Sequence, residues 1–268
     1  MVSAAQRLGV VFVHGFLSEP ATWDPFVQLI GADPDLAFVE PLAFAYASPA
    51  LPRVAWRRVP EIDDIAESLK VYLETEAERF DRLALVAHSQ GGLVVQRYLA
   101  RMLGNGRGPD LVRIRRVVLF ACPNNGSQFA LSLRRRWLWK NPQERQLRPL
   151  DAVVTDTQRI VLNQVVHARE VTGSTCPIPV TALAGESDGI VTPASARSVF
   201  PDIGGLPGDH FTIIRPDSVT HRSYTALKRL LWEARTGEDG PWPALGENAA
   251  PPEEERAPRP RQPGPTQG

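Results

Sequence analysis

The sequence predicts an α/β fold: a doubly wound, mostly parallel sheet flanked by helices. Three observations lead there. Short apolar runs alternate with amphipathic stretches through the first 237 of the 268 residues. The run at 8–13 is continuously apolar, and those at 83–87, 117–121 and 180–184 are apolar apart from Thr181, the mark of strands buried on both faces. The stretches between them repeat apolar residues at helical spacing, and strand–helix alternation of this kind builds a parallel sheet covered on both sides.

In chain order, residues 8–13 read as the first buried strand and residues 36–46 hold a second. Ile62, Ile65, Ala66, Leu69, Leu73 and Phe80 recur at helical spacing with acids between them, which predicts a helix over that stretch. The run at 83–87 is the next strand. A helical pattern follows through Leu93, Val94, Tyr98, Leu99 and Met102 and stops at Gly104-Asn105-Gly106. Strands at 117–121 and 180–184 come next, and Tyr224, Leu227, Leu231 and Ala234 mark a final helix. From Glu238 to Gly268, eight prolines in 31 residues and three consecutive glutamates leave almost nothing to bury, so 238–268 is expected to be a disordered tail behind a folded domain of 1–237.

Composition excludes several classes. A hydrophobic fraction of 43% excludes a wholly disordered chain. Thirty Lys+Arg balance thirty Asp+Glu, so the chain lacks the basic excess of a dedicated nucleic-acid binder. Cys122 and Cys176 are the only cysteines, too few for a disulfide scaffold or a four-cysteine zinc site. No apolar run reaches the roughly 18 residues of a membrane span. The run at 8–13 is shorter than the roughly 7–15-residue core of an export signal, and a cytoplasmic location is expected.

On sheets of this kind ligands sit at the carboxyl ends of the strands, so the residues just after each run matter most. After 83–87 comes His88-Ser89-Gln90-Gly91-Gly92 and then a helix. A serine on a sharp strand-to-helix turn stands exposed above the sheet, and crowding demands small residues two before and two after it, here Ala87 and Gly91. The bland alternative is a helix N-cap serine. Such an elbow works with two backbone donors for an oxyanion: the amide after the serine, here Gln90, and one from a loop after an early strand, here Phe16 in His14-Gly15-Phe16. His14 itself reads as a loop-shaping residue. After 180–184, Gly185-Glu186-Ser187-Asp188-Gly189 offers Asp188, with Glu186 second, as an acid able to orient a histidine. In the order serine, acid, histidine, only His210 and His221 follow the acid. His210, in Gly208-Asp209-His210, is preferred; His221 reads as a surface residue at the last helix, His88 as structural and His167 as an unrelated residue within a helix.

Val11-Phe12-Val13-His14-Gly15-Phe16, Leu85-Val86-Ala87-His88-Ser89-Gln90-Gly91-Gly92-Leu93-Val94, residues 117–127, residues 185–191 and Pro207-Gly208-Asp209-His210-Phe211 occur in one order along the chain. Together they resemble the α/β-hydrolase superfamily of serine hydrolases, and within it the lipase-like branch that includes the SERAC1-like and PGAP1-like hydrolases, over about residues 8–235. Two features depart from the common pattern. Ala87 replaces a glycine, and Ala121-Cys122-Pro123-Asn124-Asn125-Gly126-Ser127 stands where the family often has Gly-Thr-Pro-His-x-Gly-Ser. Ser127 is read as a helix-start cap and Cys122 as a small buried side chain.

The resemblance implies an esterase or lipase with Ser89, Asp188 and His210 as catalytic triad, the Phe16 and Gln90 amides as oxyanion hole, no metal and no organic cofactor. The substrate would be a small-molecule or lipid ester. A thioesterase or acyltransferase would use the same triad, and a non-catalytic interaction module could keep the same fold. Residues 124–172 are expected to border the acyl site as a cap or lid. Within them, Arg134-Arg135-Arg136-Trp137-Leu138-Trp139-Lys140 mixes basic and aromatic residues, a pattern suited to peripheral contact with an anionic lipid surface, to a cap, to a protein partner, or to a helix with solvated arginines and inward tryptophans.

Overall fold

The computed structural model describes residues 7–15, 18–46, 61–123, 148–189, 191 and 200–236. The elements are β1 (Leu8–Val13), α1 (Asp24–Ala32), β2 (Val39–Phe44), α2 (Ile62–Thr75), β3 (Leu83–His88), α3 (Gln90–Gly104), β4 (Ile114–Phe120), α4 (Arg148–Val161), β5 (Val180–Gly185), β6 (Asp202–Leu206) and α5 (Arg222–Thr236). Among the described residues the strands form one six-stranded sheet in the order β2-β1-β3-β4-β5-β6. Every neighbouring pair is parallel.

Period-two alternation splits the sheet's side chains between two cores. Val11, Val13, Leu83, Leu85, Val117 and Leu119 face α2, α3 and α4. Leu8, Val10, Phe12, Ala84, Val86, Val118 and Phe120 face α1 and α5. Helices on both faces make the sheet doubly wound. From β1 the chain first moves outward to β2 and then returns to β3 on the other side. That reversal opens a crevice above the carboxyl ends of β1 and β3, where sheets of this type bind ligands. Pro41 lies within β2, which among the described residues pairs only with β1 and so tolerates a residue without an amide proton.

Several boundaries differ from the sequence reading. Helix α2 stops at Thr75, and Phe80 packs in the core from the turn beyond it. The Arg113 guanidinium closes that end by donating to the carbonyls of Leu73 and Ala77. The other end carries a capping box, with the Glu61 amide donating to Asp64 Oδ2 at 3.1 Å. Helices α1 and α4 and strand β6 are not announced by the pattern. Helix α1 buries only Phe26 and Ile30. Strand β6 reads Asp-Ile-Gly-Gly-Leu, which resembles a turn. At its Gly204 a Cβ would stand 2.8 Å from Leu183 Cδ2 on the neighbouring strand. His167 lies just beyond the π-helical turn Leu162–Val166 that continues α4, not inside a helix.

Of the expected cap, 124–147 lies outside the described residues. Helix α4 and the turn after it place Val154, Val161 and Val165 in the α2–α3 core. The basic-aromatic stretch Arg134–Lys140, Ser127 and the tail 238–268 also lie outside the described residues. No described helix is long and apolar enough to cross a membrane.

Candidate active site

Four strand ends build the site. Strand β3 runs straight into α3, and the one residue between them is Ser89, with φ +52° and ψ −126°. Positive φ is rare outside glycine and signals a backbone held by its surroundings. Here the Ser89 amide donates to the Phe120 carbonyl at 3.0 Å and the Gly92 amide to the Ser89 carbonyl at 3.0 Å. Ser89 occupies the N-cap position of α3, but its hydroxyl makes no capping hydrogen bond. Its Oγ lies 3.0 Å from His210 Nε2 instead.

His210 follows β6 and is 4% exposed. Its Nδ1 lies 2.9 Å from Asp188 Oδ2, and the Asp188 side chain is fully buried after β5. The other carboxylate oxygen of Asp188 accepts the Val191 amide at 2.8 Å. A carboxylate can only accept, so Nδ1 carries the proton and Nε2 presents its lone pair to the serine hydroxyl. The loops after β5 and β6 are closely packed. The Ser187 amide donates to the Gly208 carbonyl at 3.1 Å, and a Cβ on Gly185 would stand 2.7 Å from that same carbonyl.

The other candidates fall elsewhere. Glu186 points to solvent. Asp209 is exposed and caps its own turn, accepting from the Phe211 and Thr212 amides at 2.9 and 2.8 Å. Those hydrogen bonds hold its carboxyl below the ordinary range. His221 precedes α5 and accepts the Ser223 amide at 3.2 Å. His167 is exposed. Cys122 is buried against β3, where burial raises its thiol pKa well above the usual range.

Of the two expected oxyanion donors, Gln90 is the first residue of α3, whose first-turn amides have no partner within the helix. Phe16 lies outside the described residues. The loop that leads to it is described as far as Gly15, and a Cβ on Gly15 would stand 3.0 Å from the Ser89 Cβ. His14 shapes this loop: its Nδ1 donates to the Gly15 carbonyl at 3.0 Å. Burial lowers its pKa, so the ring is neutral. Sequence reasoning missed Tyr46. Its ring stacks on His14 with centroids 4.0 Å apart, and its hydroxyl donates to the His14 carbonyl at 2.7 Å. An aromatic residue two positions past the carboxyl end of β2 is the signal that could have flagged it. Among the described residues no cluster of three histidines, cysteines or acids could hold a metal ion.

The arrangement can deprotonate a hydroxyl at the carboxyl edge of the sheet while a buried carboxylate holds the base. Residues 10–262 match the alpha/beta hydrolase family. The chain belongs to that family. No curated protein matches it. Among solved structures, this hydrolase is similar to phospholipase PlaB from Legionella pneumophila in complex with thio-NAD, at 17% identity and a TM-score of 0.64, covering 86% of this chain and 60% of that one. It is similar to the RedJ thioesterase of the prodiginine pathway in Streptomyces coelicolor, at 17% identity and a TM-score of 0.51 over 84% and 86% of the two chains. A thermophilic esterase from Thermogutta terrifontis matches at 14% identity and a TM-score of 0.51 over 87% and 92%. At these identities the likeness establishes the fold that this alpha/beta hydrolase shares with them.

Proposed function

We propose that this alpha/beta hydrolase cleaves carboxylic esters, in the esterase or lipase manner, through an acyl-enzyme on Ser89. The observation that carries the reading is the line of contacts Ser89 Oγ to His210 Nε2 at 3.0 Å and His210 Nδ1 to Asp188 Oδ2 at 2.9 Å, mounted on a serine at positive φ.

A serine hydroxyl is a weak nucleophile near pH 7 and needs a base within hydrogen-bond reach. As Oγ attacks the ester carbonyl, His210 Nε2 takes its proton, and Asp188 stabilises the imidazolium and fixes its orientation. The negative oxygen of the tetrahedral intermediate would be met by the Gln90 amide and by a second donor, for which the sequence offers the Phe16 amide; one such donor is typically worth about 3 kcal/mol of barrier. The intermediate collapses, the alcohol leaves with the proton from His210, and the serine stays acylated. Water then attacks the acyl carbonyl, gives its proton to His210, and releases the acid and the free hydroxyl. The motif likeness to lipase-like serine hydrolases supports an acyl ester as substrate.

The test is hydrolysis of p-nitrophenyl esters from short to long acyl chains, run with fluorophosphonate labelling. Wild type should be labelled at Ser89 and turn over, and the profile across chain length separates esterase from lipase. Ser89→Ala should lose labelling and at least about 10³-fold in kcat. A Ser89→Ala protein with wild-type turnover defeats the proposal.

A further inference from the structure

The residue before the serine has no part in the steps above, yet it packs against His210. His88 is the last residue of β3, 3% exposed, and its ring lies 4.8 Å from the His210 ring. Its Nε2 is 2.8 Å from the main-chain carbonyl of His210. A carbonyl only accepts, so Nε2 carries the proton and donates. On the other side of the ring, a Cβ on Gly15 would stand 3.2 Å from His88 Nδ1. The Trp23 ring meets the imidazole edge-on at 6.4 Å. Buried this deeply, His88 meets no substrate.

We infer that His88 is a positioning residue: its Nε2–H ties the main chain of His210 to the strand that carries Ser89, setting the distance between base and nucleophile. The inference rests on the Ser89 reading above. His210 has two kinds of anchor. Asp188 holds the ring through Nδ1 and so sets its rotation. On the side of the acid, the loop is also held by the Ser187 amide donating to the Gly208 carbonyl. His88 links the loop to the nucleophile's side, and the Ser89 amide is itself fixed to the Phe120 carbonyl at 3.0 Å. Burial keeps the His88 ring neutral, with its one proton on Nε2. Removing the link leaves Asp188, His210 and Ser89 chemically intact and frees their spacing. A misplacement of about 1 Å can cost on the order of 100-fold in rate.

Three variants test this: His88→Phe keeps the ring and loses the donor, His88→Gln keeps a donor near the Nε2 position, and His88→Asn carries one too short to reach the carbonyl. Each is assayed with p-nitrophenyl ester, and active sites are counted by stoichiometric fluorophosphonate labelling. The expected result for Phe and Asn is a drop in kcat per labelled site of about 10- to 100-fold, with KM within about threefold. The labelling rate should fall in parallel, and Gln should recover most of both. A merely structural role would lower the melting temperature and the number of labelled sites while each site turned over at the wild-type rate, and that result overturns the inference. Equal kcat in the Gln and Asn variants overturns it too, even if the Phe variant does not fold. Failure of the underlying reading looks different: wild type itself would then escape labelling, or Ser89→Ala would remain active.

Discussion

Gly91 lies against the carbonyl oxygen of His14: a Cβ added to Gly91 would stand 2.5 Å from it and 2.6 Å from the Val13 carbonyl. The first turn of α3 and the end of β1 thus meet with no space for a methyl group. This contact sets how close the Gln90 amide comes to the loop after His14. Gly91→Ala must push helix and loop apart. We expect it to lose at least about 100-fold in kcat/KM and about 1–3 kcal/mol in stability, measured by ester hydrolysis and urea unfolding.

Gly31 and Gly104 give the opposite outcome. Both are helical, and an added Cβ meets nothing within 4 Å at either. Alanine there should stabilise by about 0.5–1 kcal/mol each, through helix propensity and a less free unfolded chain, with unchanged kcat. Unfolding midpoints of the two single variants and their double check both the size and the additivity.

Ser89 pays for its exposure in backbone strain, at φ +52°. Glycine adopts positive φ without a Cβ clash, while alanine keeps the clash. Ser89→Gly should therefore be more stable than Ser89→Ala by about 1 kcal/mol, both being inactive. Equal stability of the two would show that the turn carries no strain at this residue.

The Ser89 turn is legible in the sequence because sterics write it into neighbouring residues: Gly91 and Gly92 must be small, Gly92 because a Cβ would overlap the Cys122 sulfur at 2.1 Å. Buried strands are legible because β1, β3 and β5 are buried on both faces and, His88 and Thr181 apart, apolar throughout. Strand β6 is hidden because its exposed edge and its packing on Leu183 favour small and polar residues, the composition of a turn. The end of α2 is hidden because Arg113, 36 positions from Ala77, takes the carbonyls there. Tyr46 reaches His14 across 32 residues, and no local spacing encodes that meeting. Chain order leaves both His210 and His221, and loop setting ranks His210 first, but its partners Ser89 and Asp188 lie just past β3 and β5.

Asp33 fastens α1 to α5. It accepts from Tyr224 Oη at 2.8 Å and lies 2.7 Å from Lys228 Nζ. Burial alone would raise its pKa, but hydrogen bonds from Lys228, Tyr224 and the Asp35 amide outweigh that and hold it below the ordinary 3.8. A depressed carboxylate pKa contributes stability that is present above the ordinary value and lost as pH falls through the folded one. Asp33→Ala should cost about 1 kcal/mol at pH 7: it removes a buried acceptor, while Lys228 Nζ keeps Asp35 Oδ2 at 2.8 Å and the Tyr224 hydroxyl keeps the Leu29 carbonyl at 3.2 Å. The deficit relative to wild type should shrink below about pH 4, as measured by urea unfolding across pH.

Acid should weaken the fold well before that, through the two buried histidines near Ser89, His14 and His88. Burial holds His88 down at about 3 and also lowers His14, both from an ordinary 6.5. Below pH 6.5 the unfolded chain takes up protons that the folded chain refuses, so stability falls with falling pH. For His88 alone the loss between pH 8 and pH 5 amounts to about 2 kcal/mol, and His14 adds in the same direction. The decline continues toward pH 3, where His88 charges in the folded state as well. His88→Gln removes one titrating group, so its urea midpoint should change less between pH 8 and pH 5 than that of wild type. A wild-type midpoint that stays flat over this range would mean that His88 is protonated in the folded protein, beside His210, and that its ring is not the neutral donor described here.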